Sequence, residues 1–155
     1  MRAGLLLVIA SCADGAVTGP ATSSAHLEAR SALTFVDNID LLEPLGTYRR
    51  WTVHVVEAPE GTDCEAAGEP LVAIELYTIF SSAPRGLIPL ALTPPPPRLF
   101  PAAYASVRGG VNVQGEVMIT AAATTILVGT LTGSATIDGS VRSLDVTFEA
   151  PTCTP

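Results

Sequence analysis

Few side chains in this 155-residue chain are of the types that carry out chemistry: three cysteines, two histidines and fifteen carboxylates. Nucleophilic catalysis requires a base beside a Ser, Thr or Cys. His54 is the one candidate base, but it alternates with Thr52 and Val56 on a predicted strand, which favours a sheet surface or a core position. The motifs G-x-S-x-G, H-E-x-x-H and G-x-x-x-x-G-K-[ST] do not occur. We therefore predict no enzymatic activity, no metal and no cofactor; a small hydrolase built on His54 is the last alternative.

Cys12 follows a basic end, Met1-Arg2, and a nine-residue apolar segment, AGLLLVIAS. A membrane-spanning helix needs about 20 apolar residues, so this pattern indicates a secretory signal peptide instead. Ile9-Ala10-Ser11-Cys12 resembles the lipobox of bacterial lipoproteins. That resemblance implies that residues 1–11 are removed, that Cys12 carries acyl chains including palmitate, and that the membrane partner is reached through this lipid anchor. A buried cysteine in an ordinary N-terminal strand or helix is the alternative.

The residues after Cys12 predict where the anchored protein is held. Asp14 is the second residue after the cysteine rather than the first, and by analogy with lipoprotein sorting in enteric bacteria this favours the outer membrane of the cell envelope. Residues 12–27 are small, polar and rich in Gly, Ser and Thr, which predicts a flexible tether that contains a solvated His26. The predicted folded domain is then residues 28–155.

The two remaining cysteines, Cys64 and Cys153, form one pair in a chain predicted to be exported. Such a pair is typical of a disulfide bond in an oxidising compartment. A metal or redox pair is the alternative, but there is no C-x-x-C motif and no histidine lies nearby in the sequence. We expect the bond to tie the C-terminus to an acidic loop.

The composition excludes some partners. The chain has 8 basic and 15 acidic residues, a net charge of −7, and 48% hydrophobic residues. This acidity disfavours nucleic-acid binding because phosphate backbones would be repelled. The hydrophobic content is sufficient for a single core.

From residue 28 onward the sequence predicts strands rather than helices, because β-branched segments alternate with Gly, Pro and Asp. The clearest predicted strands are residues 31–42, 49–58, 70–80, 116–120, 125–137 and 141–149. Residues 86–92 are predicted as an edge strand because of Pro89, and residues 102–108 as a further strand. Asp138-Gly139 predicts a tight hairpin turn, Gly129 and Gly133 predict close packing or bulges, and Pro94–Pro97 an extended loop. About eight strands indicate an all-β fold, an antiparallel β-sandwich or small barrel.

The end of the chain also carries a resemblance. Its last third contains G-x-V-x-I, L-x-G-x-L-x-G, D-G and F-E-A-x-x-C, ending at Cys153. This pattern resembles the last strands of exported bacterial lipoproteins of uncharacterised function. The resemblance implies an all-β lipoprotein domain with a C-terminal disulfide and implies no activity.

Two further groups of residues are candidates for binding. Tyr48, Arg49, Arg50 and Trp51 are consecutive and form a possible patch for a glycan or a protein; arginines that block pairing at a sheet edge are the alternative. Acidic clusters at Asp37-Asn38-x-Asp40 and around Cys64 are candidate calcium ligands or solvated loops. We therefore expect a lipid-anchored envelope protein with a non-catalytic structural or binding β domain.

Overall fold

The computed structural model describes residues 16–24, 27–40, 46–79, 83–93 and 100–154. These residues form ten β-strands. In chain order they are β1 (Gly19–Ser23), β2 (Ser31–Asp40), β3 (Thr47–Val56), β4 (Val72–Ile79), β5 (Gly86–Pro89), β6 (Ala102–Val107), β7 (Val111–Asn112), β8 (Gln114–Ala123), β9 (Ile126–Ile137) and β10 (Ser140–Pro151). A single 3-10 turn, Cys64–Ala66, lies between β3 and β4. The predicted all-β antiparallel class is confirmed, with ten strands rather than eight.

All ten strands join one antiparallel sheet in the order β5-β8-β9-β10-β1-β2-β3-β4-β6-β7. The sheet folds over so that its two ends meet. The Ala91 N–H donates to the Ala103 carbonyl at 2.8 Å, and the Val113 N–H donates to the Ala105 carbonyl at 2.9 Å. The strands are thereby divided into two facing layers, one built on β8–β9–β10 and the other on β2–β3–β4–β6.

The core lies between these layers and is formed by the inward side chains of both. Period-two alternation makes this possible, because each strand turns every second side chain inward. Trp51, Val53 and Val55 of β3 face Leu144, Val146 and Phe148 of β10 in one buried cluster. The predicted alternation of β3 and β10 is therefore confirmed.

Within the described residues, no helix is long and apolar enough to cross a membrane.

A second, smaller cluster lies on the opposite side of β2 and β3. Leu33 and Val56 are buried there against Ala67 and Cys153. The cover is the segment from Glu57 to Pro70, which we call the disulfide loop and which carries the 3-10 turn. This part of the outer surface of the sheet is therefore interior rather than solvent-exposed.

The predicted tether is wrong where it can be compared with the structure. Residues 19–23 form β1, which pairs with β10 through Ala21↔Phe148 and with β2 through Gly19↔Ala32. Ala21 is buried in the core. The small polar composition that suggested flexibility is compatible with a strand here because Gly19 fits closely: a Cβ on it would lie 2.1 Å from the Glu149 carbonyl oxygen. The folded domain therefore includes residues before 28.

Several local predictions are confirmed. Asp138 and Gly139 both have positive φ, 51° and 76°, as the two central residues of a type I′ hairpin turn require. Pro89 lies in β5, at one edge of the sheet. Gly129 lies where a Cβ would be 2.5 Å from the Met118 carbonyl oxygen. The bulge, however, lies in β8 rather than at Gly129 or Gly133: it interrupts the pairing of β8 with β9 between Ile119 and Ala121.

Other predicted features lie outside the described residues, and one short strand was not predicted. The signal peptide, Cys12, Asp14, His26 and Pro94–Pro97 fall outside the described ranges. β7 was not predicted, because a two-residue strand is too short to produce a pattern.

Candidate functional site

A disulfide bond joins Cys64 and Cys153, with their Cα atoms 6.2 Å apart. The predicted bridge is confirmed. The Cys153 N–H donates to the Thr34 carbonyl at 2.8 Å, which holds the end of the chain against β2. The bond links the disulfide loop to that end and covers the second cluster.

The predicted patch of Tyr48, Arg49, Arg50 and Trp51 is divided by the alternation of β3. Tyr48 and Arg50 lie on the outer side of the sheet, whereas Arg49 and Trp51 lie on the side of the core residue Val53. The four residues therefore do not form one surface. β3 also lies between β2 and β4 rather than at an edge, so the alternative of edge-blocking arginines is wrong as well.

Trp51 is a core residue and not a binding platform. Only 3% of it is exposed, and its Nε1–H donates to the Thr78 hydroxyl at 3.4 Å. Arg49 lies at the margin of the core, with its guanidinium carbon 6.0 Å from the Trp51 ring centre and its Nε–H donating to Asn38 Oδ1 at 3.2 Å.

Strand register assembles a different set of side chains on the outer side of β2–β3–β4–β6. Paired residues of neighbouring antiparallel strands point to the same side. One row across the strands is Phe35, Thr52, Glu75 and Tyr104, and the next is Asp37, Arg50, Tyr77 and Ala102. A third row contains Tyr48 between Ile39 and Ile79. We call this surface the outer face; it carries all three tyrosines of the chain.

An ion pair lies at the centre of the outer face. Arg50 donates to Asp37 Oδ2 through Nε at 3.1 Å and through Nη2 at 2.5 Å. Both side chains are more than one third exposed, so the pair adds little stability. The hydrogen bond to Asp37 raises the pKa of Arg50; burial opposes this rise, and the charges of Asp37 and Glu75 add smaller increases. The pair fixes a cation in a defined position.

The tyrosines next to this pair pack against other rings. The Tyr48 ring centre is 5.8 Å from that of Tyr77 and 5.4 Å from that of Phe100. Tyr77 donates its hydroxyl to the Glu75 carboxylate. Burial, and then the hydrogen bond to Glu75, raise the pKa of Tyr77, so this phenol stays protonated as a donor at neutral pH. Tyr104 donates its hydroxyl to the Asn112 side-chain oxygen.

His54 lies on the outer face beside the disulfide loop and lines an open cleft of about 540 Å³. The other side chains of the cleft include Leu33, Phe35, Glu65 and Glu69. Phe35 meets the imidazole edge to face, with ring centres 5.3 Å apart. Burial lowers the pKa of His54, and the charge of Glu75 opposes this effect, so the imidazole is neutral at pH 7.

The surroundings of His54 do not assemble a nucleophile. Among the described residues, no serine and no carboxylate is hydrogen-bonded to the imidazole, as a catalytic triad requires. The hydrolase alternative therefore receives no support from the geometry.

The two acidic clusters are also accounted for. Asp37 and Asn38 lie within β2 and receive hydrogen bonds from Arg50 and Arg49, so this cluster is part of a strand and not of a loop. In the part of the chain that the structure describes, no three His, Cys, Asp or Glu side chains converge to hold a metal ion.

The outer face was not predicted from the sequence. Each strand showed its own alternation, but the neighbours of Arg50 depend on strand order and register, which the sequence did not provide. The polar and aromatic residues at alternate positions of three predicted strands were the available signal. They become one surface only when Thr52 is paired with both Phe35 and Glu75.

The fold and the site thus define a disulfide-linked all-β domain with a partly exposed aromatic and charged face. Comparisons with protein-family models, with curated proteins and with solved structures found no match.

Proposed function

We propose that this chain is an exported, lipid-anchored protein of the bacterial cell envelope whose β domain acts without catalysis as a structural or binding module. The Cys64–Cys153 disulfide is the observation that carries the proposal, because structural disulfides persist in oxidising compartments outside the cytosol. The lipobox-like Ile9-Ala10-Ser11-Cys12 supports the anchor.

The anchor is tested by following processing of the precursor in a bacterial host. Globomycin, which blocks the lipoprotein signal peptidase, should cause the uncleaved precursor to accumulate, and Cys12→Ala should do the same without the drug. Ser11→Ala is the matched control, because it keeps a small residue before the cysteine and should be processed normally. Normal processing of C12A, or of the wild type under globomycin, would overturn the anchor.

A binding role for a glycan or a protein is the second candidate, and the outer face favours it. Tyr48 and Tyr104 are half-buried there, and the ion pair of Arg50 with Asp37 lies in the row between theirs. Aromatic rings beside charged, hydrogen-bonding groups are the groups that dominate recognition surfaces.

Capture from the native envelope tests this candidate. The intact lipidated protein should retain a specific glycan or protein, and Tyr104→Ala should reduce the amount captured. Thr147→Ala, an exposed substitution on β10 in the other layer, is the control. Equal capture by both variants, each shown to be folded by circular dichroism, would exclude the outer face as the binding surface.

A further inference from the structure

The first described residues are hydrogen-bonded to the disulfide loop. The Thr18 N–H donates to the Thr62 carbonyl and the Gly61 N–H donates to the Thr18 carbonyl, both at 2.9 Å. The Cys64 N–H donates to the Ala16 carbonyl at 3.2 Å, and Val17 forms an antiparallel bridge with Asp63. The chain therefore reaches the domain at the disulfide loop, and Ala16 packs against the second cluster.

The distance from this point to the proposed anchor is limited by covalent geometry. Three residues, Ala13 to Gly15, separate Cys12 from Ala16. An extended chain spans at most about 3.6 Å per residue, so the Cα of Cys12 lies within about 14 Å of the Cα of Ala16. A flexible tether of residues 12–27 would have allowed several nanometres, and the pairing of β1 excludes that reach.

We infer that the disulfide loop is the membrane-facing surface of the protein, held against the bilayer by the lipid on Cys12. This inference rests on the proposed anchor and adds an orientation to it. Val17, which is 45% exposed, and the exposed Asp63 and Glu65 then lie next to the lipid headgroups. The outer side of β5 and β8, where Leu87 pairs with Met118, lies on the other layer and faces away.

The orientation is tested on the full lipidated protein in nanodiscs of zwitterionic lipid that contain a gadolinium-chelating headgroup lipid. Methyl signals in the NMR spectrum broaden when they lie near the paramagnetic surface. Val17 and Ala67 should lose most of their intensity, whereas Leu87 and Met118 should keep most of theirs. Because all four residues belong to the described fold, the signals of Leu87 and Met118 are the internal reference for those of Val17 and Ala67 in the wild-type protein.

A spacer supplies the matched comparison. Sixteen Gly and Ser residues inserted between Asp14 and Gly15, about the length of the predicted tether, should abolish the difference between the two pairs of signals. The same insertion in the exposed Gly109-Gly110 turn should leave the difference intact. Broadening that is equal for both pairs in the wild type, or a difference that survives the first spacer, would overturn the orientation.

Flotation of the protein with the lipid separates the two levels of the proposal. A chain that does not float has no anchor, and both the anchor and the orientation are then overturned. A chain that floats but shows equal broadening retains the anchor and loses only the orientation.

Discussion

Gly129 shows how closely neighbouring strands of one layer depend on a single residue. A Cβ at this position in β9 would lie 2.5 Å from the Met118 carbonyl oxygen and 3.0 Å from Cζ of Phe148. Gly129→Ala should therefore lower the free energy of unfolding by about 1–3 kcal/mol, the usual cost of overpacking. Urea unfolding followed by circular dichroism measures this, and Ser143→Ala, exposed on β10, should change it little. An unchanged midpoint in G129A would mean that the strands separate more easily than this packing indicates.

His54 gives the stability of the domain a pH dependence whose sign is fixed by burial. Since burial lowers the pKa of His54 in the folded state, the unfolded chain takes up the proton first as the pH falls. The free energy of unfolding should therefore decrease as the pH drops through about 6.5, the ordinary pKa of histidine, and recover above it. The contribution is fully present only above the unfolded pKa.

The histidine effect is measured by comparing urea midpoints at about pH 7.5 and about pH 5.5. His54→Gln should reduce the difference between the two midpoints, because it removes the titrating group. Thr52→Gln, a half-buried position on the same side of β3 that carries no titrating group, is the control and should leave the difference as in the wild type. The same pH dependence in H54Q and the wild type would assign the effect to other groups.

At the scale of the element, β1 joins the two layers, because it pairs with β10 on one side and with β2 on the other. Ala21→Asp should destabilise the domain by about 3 kcal/mol or more, since it places an unpaired carboxylate among core residues. Thr22→Asp introduces the same charge at the exposed neighbouring position and should have little effect. Thermal unfolding of both variants tests whether β1 is part of the fold. Equal melting temperatures would contradict this and would favour the predicted flexible tether.

The disulfide loop depends on its covalent link to the end of the chain. Changing both cysteines, Cys64→Ser with Cys153→Ser, should lower the free energy of unfolding by about 4–5 kcal/mol, because the bond closes a separation of 89 residues. Urea unfolding of the double variant, compared with the oxidised wild type, measures the loss. The reduced wild type serves as a second comparison, and a loss confined to the serine variant would assign the effect to the substitutions rather than to the bond.

The strands that were predicted well from the sequence are those in which inward apolar residues alternate with outward polar residues. β10 turns Leu144, Val146 and Phe148 inward and polar residues outward, so its period of two is visible without neighbours. β1 carries no such signal, since its single core residue is an alanine between Pro20 and Thr22. Its position depends on the edges of β2 and β10, which local composition does not encode.

The candidate site was less predictable for the same physical reason. The cysteine pair was recognisable because two cysteines in a chain predicted to be exported most often form a disulfide bond. The predicted patch failed because consecutive residues in a strand point to opposite sides, and Trp51 was needed in the core. The outer face is a product of register across four strands, and Arg50 meets Asp37 only because β2 and β3 pair as they do.

At the scale of the whole molecule, charge would determine how the domain meets a membrane if Cys12 is lipidated as proposed. The net charge is −7, and Glu60, Asp63 and Glu65 are exposed on the disulfide loop. If this loop faces the bilayer, anionic lipids repel it over the Debye length, which is about 10 Å at 0.1 M salt, the low-salt condition, but only about 3 Å at 1 M. The anchor and this repulsion then act in opposite directions on the same surface.

On nanodiscs that contain anionic lipid, the paramagnetic broadening of Val17 and Ala67 should therefore be weaker at low salt than on zwitterionic lipid. Raising the salt should remove the difference. The triple change Glu60→Gln, Asp63→Asn and Glu65→Gln should remove it at low salt as well. The matched control, Glu116→Gln, Asp145→Asn and Glu149→Gln, alters the charge equally on the exposed side of the other layer and should retain the salt dependence. An equal response of the two triple variants would show that net charge acts without regard to orientation, because only a loop close to the headgroups distinguishes them within a Debye length.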